Sequence, residues 1–369
     1  MVVTKIEMVP PDAWNKIFPD VLEGYGFFKT FDESKLDQFV FCYICVYHHK
    51  ELIGAAPCFM MDYSLDTSIN GPLRQATNTV KRVFPALFHL KALVCGIPTN
   101  QGHIGIGADP SLVVEAILRR MEMIARKEHV HIIAFKDFAR PYDNVFSSLT
   151  RHDFIRVNSL PDTELDIDFK DFDGYLKQLS SASRYDLRRK LKKAQGHVTM
   201  EVHDALDEVT LVQAYALYRQ VVDAHDMGFE ILTIDFFRQS ARNMPHNVKF
   251  FLWRVDGKLA AFLFCLVSDD LLIDYFLGLD YVLALEHHLY FIKFKDVLEW
   301  SIRQGIKKYM MGCTGYEPKR RLGFKFVPLS LYVHLRFKPL RPLFKILVCF
   351  LKFENFDPEL KRWLKERPS

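Results

Sequence analysis

Residues 271–336 read LLIDYFLGLD (271–280), EHHLYFIKFKDVLEWSIRQG (286–305) and IKKYMMGCTGYEPKRRLGFKFVPLSLYVHLR (306–336). The first piece is apolar apart from Asp274 and the closing Asp280 and reads as a buried strand. The second is an amphipathic helix by its apolar spacing. The third opens as a strand, passes through a loop crowded with polar and basic groups, and returns as a strand. This order gathers a helix N-terminus and two strand ends in one place, which suits an anionic or phosphorylated ligand.

Upstream lies VKFFLWRV–DG–KLAAFLFCLV (248–267), a hairpin by its Asp256-Gly257 turn. Before it, 171–194 reads as a helix, VTMEVH (198–203) as a strand, and 205–224 and 233–243 as two helices. The first half follows the same plan. Residues 11–28 are expected as a helix, then FVFCYICVY (39–47) and 52–61 as a hairpin turning at His48–Glu51. Residues 62–101 read as an insertion, a packed loop or a flap, with a turn at Asn70-Gly71-Pro72. HIGIG (103–107) ends a strand. Asp109-Pro110 opens a helix with Val113, Val114, Ile117, Leu118, Met121 and Ile124 on one face, and HIIAF (131–135) is a buried strand. A short helix (144–154) and a strand (154–168) complete the unit. CVYHHKELIGAAPCF (45–59) and LWRVDGKLAAFLFCL (252–266) share a strand, a polar turn with Lys, and an apolar strand, which reads as internal duplication.

The 369 residues suit two domains. Apolar residues make up 49% and Phe is frequent at 32 copies, enough for sizeable cores. A net charge of +4 without a clustered patch gives no reason to expect DNA. No secretory h-region and no uncharged run of spanning length are visible. The seven Cys are scattered. Cys42 and Cys45 lie three apart in a strand and so face opposite ways, reading as buried reduced thiols in a cytoplasmic chain.

The order of elements resembles the GNAT acetyltransferase fold present twice, as in the Fem-type peptidyltransferases and related N-acyltransferases. The resemblance rests on SSASRYDLRRKLKKAQG (180–196), on GFEILTIDFFRQ (228–239) with the hairpin at 248–264, on 275–312, and on GYEPKRRLGFKFVPLSLYVH (315–334) with its Lys-x-x-x-Gly-Phe close. It implies two tandem α/β domains, 1–168 and 169–340, each a mixed, mostly antiparallel sheet flanked by helices, followed by a tail at 341–369. The GNAT signature Gln/Arg-x-x-Gly-x-Gly/Ala is absent from the second unit, where the turn reads DYVLALEHH (280–288).

The resemblance implies acyl transfer to an amine. The donor is expected as acyl-CoA or acyl-carrier protein, with no tightly bound cofactor. The alternatives are aminoacyl-tRNA acting on a peptidoglycan precursor or other amine, and a non-catalytic binding module. Leu277, Gly278, Leu279 and Asp280 would end a splayed strand and supply a backbone donor to the reacting carbonyl. His287 or His288 is a candidate general base, Tyr316 a candidate acid for the leaving group, and Asp274 a catalytic candidate in need of a partner. Tyr275, Lys319, Arg320 and Arg321 are candidate substrate contacts, as are Arg184 and Arg188 together with Arg189; solvated surface charges are the other reading. The tail FKPLRPLFKILVCFLKF (337–353) is a basic amphipathic helix, either packed on the second domain or lying at the inner face of an anionic membrane.

Overall fold

The computed structural model describes residues 1–19, 21–64, 89–193, 196–224, 230–350 and 357–366. The first unit holds β1 (Val2–Val3), α1 (Pro11–Ile17), α2 (Tyr25–Glu33), β2 (Val40–His48), β3 (Glu51–Ser64), β4 (His89–Cys95), β5 (Gly105–Ile106), α3 (Pro110–Lys127), β6 (Ile132–Ala139), α4 (Tyr142–Val145), β7 (Ile155–Asn158) and β8 (Asp162–Asp166). The second holds α5 (Phe172–Gln178), α6 (Ser181–Lys193), β9 (Val198–His203), α7 (Glu208–Ala224), α8 (Ile234–Asn243), β10 (Val248–Val255), β11 (Lys258–Val267), β12 (Leu271–Leu279), α9 (Tyr281–Glu286), α10 (Leu289–Gln304), β13 (Lys308–Met310), α11 (Tyr316–Arg321), β14 (Lys325–Val327) and β15 (Leu329–Leu335). Two tail helices follow, α12 (Arg341–Phe350) and α13 (Pro358–Glu366).

The duplication expected from the hairpins is present. β2–β3–β4 runs antiparallel, and helix α3 then carries the chain to β6, parallel to β4. β10–β11–β12 repeats this, with α10 leading to β13, parallel to β12. The Asp256-Gly257 turn takes φ +48° and +83°, the double left-handed turn that matches strand twist. Asp109 caps α3 by accepting from Leu112 N–H at 2.9 Å, worth about 1 kcal/mol. Cys42 and Cys45 are buried in different cores on opposite sides of β2.

The ends of the two units are exchanged. One sheet closes β6–β15–β7, the other β13–β8–β14. β8, from before residue 168, therefore pairs in the second sheet, and β15, from the second half, pairs in the first. A cut between 168 and 169 does not separate the sheets. The single strand expected over 154–168 becomes β7 and β8 because Pro161 lacks the N–H needed to continue a ladder.

Other expectations are corrected in detail. The helix over 11–28 is two helices, since Pro19 disfavours helical backbone at Phe18. The helix over 171–194 breaks at Leu179, and Ser180 restarts it by accepting from Ser183 N–H. The supposed insertion contains β4, an interior strand of the first sheet. Its middle, with the Asn70-Gly71-Pro72 turn and the flap, lies outside the described residues. One apolar core is shared between the units: Phe27 and Phe31 of α2 pack on Phe236 of α8.

Candidate active site

β12 and β13 pair only through Leu271–Ile273 and Lys308–Met310. β12 then departs, bulging at Tyr275, because Asp274 pairs with Cys265 and Phe276 with Phe264. A fork opens between the strands. Asp280 N–H donates to Ala260 O at 2.8 Å. By strand alternation the N–H groups of Leu277 and Leu279 therefore face the edge that β13 has left. Gly278 is required there for space, as a Cβ would lie 2.6 Å from Tyr218 N on α7.

Lys319 occupies the fork. Gly312 and Gly315 take left-handed φ of +67° and +64°, which folds α11 back beneath the strand ends. The Lys319 side chain is buried, and its Nζ donates to the carbonyls of Met311 and Gly312. Burial holds its pKa down at about 8, opposed by the nearby Asp274 carboxylate. Asp274 itself points into the second unit's core. It forms a buried ion pair with Lys293 of α10 and accepts from Tyr309 Oη at 3.0 Å. Lys293 also lies 5.4 Å over the ring of Tyr290. The Tyr290 hydroxyl is buried, has no hydrogen-bond partner among the described residues, and feels the charges of Asp274 and Glu317.

Tyr275, one residue on, faces the first unit. Its hydroxyl donates to Glu23 Oε1 at 3.0 Å, and Asn100 Nδ2 donates to the same oxygen at 2.7 Å. Gln101 Nε2 donates to buried Asp162 at 2.9 Å, and burial pushes the Asp162 carboxyl up. Asp137, at a left-handed φ of +61°, accepts from Lys136 and from Ser159 Oγ. Glu230 feels the charges of Lys136 and Asp137, and burial raises its pKa to about 7. Cys313 lies within the reach of Asp137, Asp162 and Glu230. The seam between the units thus carries three carboxylates, Asp162, Asp137 and Glu230, within electrostatic reach of Lys319 or Lys136, with Glu23 acting on Asp162.

A separate open cleft of about 430 Å³ is lined by Arg189, Lys190, Lys192 and Lys193 of α6 and by His288. It lies at the start of α10, whose N-cap His288 is left-handed (φ +51°) and offers no side-chain cap. Asp186 engages Arg189 at 2.8 Å and Lys190 at 2.7 Å. No ion pair is recorded for Lys192 or Lys193 among the described residues.

The candidates separate accordingly. Asp274, Lys319 and the Leu277–Asp280 edge meet at the fork. Tyr316 is near, but its hydroxyl donates to Pro161 O at 2.9 Å in a buried position, so it braces β8 against α11 and burial raises its pKa strongly. His287 closes α9 against His197, 5.8 Å between rings. His288 belongs to the basic cleft, where burial and then Lys193, Lys190 and Arg189 hold its pKa down. The Lys319–Arg321 cluster diverges: Arg320 pairs with Glu359 of α13 and Arg321 with Glu317 at 2.5 Å. Arg184 donates to Leu176 O at 3.5 Å, and exposed Arg188 sits 3.9 Å from Asp173. Asp280 caps α9 by accepting from Val282 and Leu283 N–H, both 3.2 Å. That carboxylate takes the helix N-terminus where a glycine turn would cradle a phosphate. Sequence reasoning missed Lys293, Tyr290, Glu23, Asp162 and Glu230. For Lys293 a signal existed, since it falls on the apolar face of an amphipathic helix.

Residues 181–320 match a family model described as an acetyltransferase (GNAT) domain. No curated protein sequence matches the chain. Among solved structures, the fold is similar to the crystal structure of FemX, with 14% identity, 93% of this chain and 99% of that chain covered, and a TM-score of 0.57. It is also similar to a tandem GNAT protein from the clavulanic acid biosynthesis pathway, with 10% identity, 85% and 87% covered, and a TM-score of 0.52.

Proposed function

From the premise that residues 181–320 form a GNAT-type acyltransferase domain, we propose that the chain transfers an acyl group from a thioester, acyl-CoA or acyl-carrier protein, to an amine. The observation that carries this reading is the fork, where the Leu277 and Leu279 N–H groups face the edge that β13 has left and the Lys319 ammonium lies buried on the carbonyls that follow β13. Such donors stabilise the oxyanion that develops as an amine attacks an acyl carbon.

The acceptor enters from the acidic seam, where carboxylates attract an ammonium group. The ammonium first loses one proton to solvent, which frees its lone pair, and Glu230, ionised above about pH 7, takes the second as the C–N bond forms. The C–S bond breaks, and the leaving thiolate takes a proton from Lys319. The donor's phosphates rest in the basic cleft at the start of α10.

Two observations favour a second reading, aminoacyl-tRNA as donor. The cleft holds four cations on one helix, and Asp280 already occupies the neighbouring helix N-terminus; both features suit a longer polyanion held by side chains. The test is product formation, read by mass spectrometry, with a panel of amines and either acyl-CoA and acyl-carrier donors or charged tRNA. Product from the thioester alone supports the first reading. Product from charged tRNA alone overturns it in favour of the second. No product from either donor overturns both.

A further inference from the structure

The tail segment from Phe337, a short turn at Lys338–Leu340 that runs into α12, presents two different faces. Leu340 and Phe344 pack against the shared core. Arg341 is turned inward, donating to Asp153 at 2.6 Å and to Leu335 O at 2.8 Å. The segment's outer side is apolar and exposed among the described residues: Phe337, ahead of the helix, is 57% exposed, Leu343 61% and Ile346 57%. Lys338 and Lys345 flank these residues, both exposed, with no ion pair recorded for either among the described residues. From Phe337 to Phe350 the sequence contains no acidic residue.

We propose that this face docks on the surface of an anionic lipid bilayer. The geometry suits a plane: the inner anchors fix the helix on the molecule, so Phe337, Leu343 and Ile346 are held outward together. Aliphatic side chains at this position enter the acyl boundary while lysines remain at the level of the phosphates. Charge complementarity selects anionic headgroups, each lysine adding attraction that falls with salt. No helix among the described residues is long and apolar enough to cross a membrane, so the contact is peripheral. The same tail reaches the fork's support: α13 holds Arg320 of α11 through Glu359, and Trp363 packs on Phe326 with rings 4.9 Å apart. The tail therefore binds the first unit through α12 and the second through α13.

The test uses the full chain in co-flotation with phosphatidylcholine vesicles, with and without phosphatidylglycerol. Binding is expected only to the anionic vesicles and is expected to weaken as salt rises. Lys338→Glu with Lys345→Glu lowers the partition coefficient about thirtyfold or more. Leu343→Ser with Ile346→Ser lowers it about tenfold or more. Because all four side chains are exposed, both variants keep the parent's melting temperature. Equal binding to both vesicle types, no binding, or wild-type binding by either variant overturns the proposal. So does a protein dimer that the serine variant dissociates, since the face would then belong to a second copy.

Discussion

Lys319 Nζ lies 3.1 Å from the carbonyl oxygen of Gly312 and also donates to Met311, so one ammonium bridges the two carbonyls that follow β13, the second of which also accepts from Thr163 Oγ1 at 3.0 Å. Lys319→Met is expected to cost about 1–3 kcal/mol, mainly for the Met311 carbonyl, since Gly312 O keeps its hydrogen bond from Thr163 Oγ1, and to lower kcat by roughly a hundredfold or more. The pH response separates charge from structure. With a folded pKa of about 8 against the usual 10.5, the amine loses its charge early. Turnover is therefore expected to fall as pH rises through about 8. The unfolded chain binds more protons between about 8 and 10.5, so this group's contribution to stability rises across that window. Lys319→Arg stays charged but cannot give its proton to the thiolate, so it is expected to remove the alkaline limb at a lowered rate, read from kcat/KM against pH.

Asp274 and Lys293 form an ion pair shut inside the second unit, which makes them a brace for the fork. Removing one partner strands a buried charge, and Asp274→Ala is expected to cost about 3–5 kcal/mol. Asp274→Leu with Lys293→Met is expected to recover most of that stability, since an apolar pair of similar volume replaces the ions. Melting temperature and turnover are measured together. A double variant that is stable and active makes Asp274 a structural group; one that is stable and inactive returns it to the chemistry.

Glu230 is expected to set the acid limb. Its folded pKa of about 7 lies above the usual 4.5. The folded protein therefore holds a proton that the unfolded chain has lost, and this group's contribution to stability declines as pH rises from about 4.5 to 7. Turnover should rise through about pH 7 as the carboxylate forms. Glu230→Gln is expected to lower the rate and erase that limb, while easing the loss of stability above neutrality. An unchanged acid limb in the variant assigns the base elsewhere.

The exchange of β8 and β15 predicts that the two units unfold together. Each sheet loses an interior strand if the other unit opens. Trp14 is buried in the first unit, and Trp253 is buried in the second, donating to Asp296 at 2.9 Å. Variants that retain one or the other as the reporting tryptophan should give coincident denaturant midpoints. Separate midpoints would show that the exchanged strands do not couple the units.

Local signals carried much of this fold. The Asp256-Gly257 turn, the Asp109-Pro110 helix start and the apolar face of α3 are all short-range features, and each appears where its residues place it. The strand exchange was not legible, because β8 and β15 look like ordinary strands and nothing local specifies which sheet receives them. The site divides in the same way. Asp274 stood out as an acid in an apolar strand that needed a partner, and Lys293 is that partner. Glu23, Asp162 and Glu230 lie far apart in sequence and meet only when the units close on each other. The run Lys319-Arg320-Arg321 looked like one cationic cluster. Helical geometry sends its members in different directions: one to the fork, one to α13, one to solvent.

Lys192 and Lys193 line the basic cleft with no ion pair among the described residues, so reversing them should act on the donor and leave the fold intact. Lys192→Glu with Lys193→Glu is expected to raise the donor's KM with little change in kcat, because the lost contacts hold the donor equally before and during reaction. The salt dependence then discriminates between donors. If a charged tRNA is held through phosphate contacts, the slope of log affinity against log salt should become shallower by roughly 1.5–2 on losing two such contacts. A CoA thioester carries few phosphates and should show a weaker slope in both proteins. An unchanged KM for every donor would mean that the phosphates bind elsewhere.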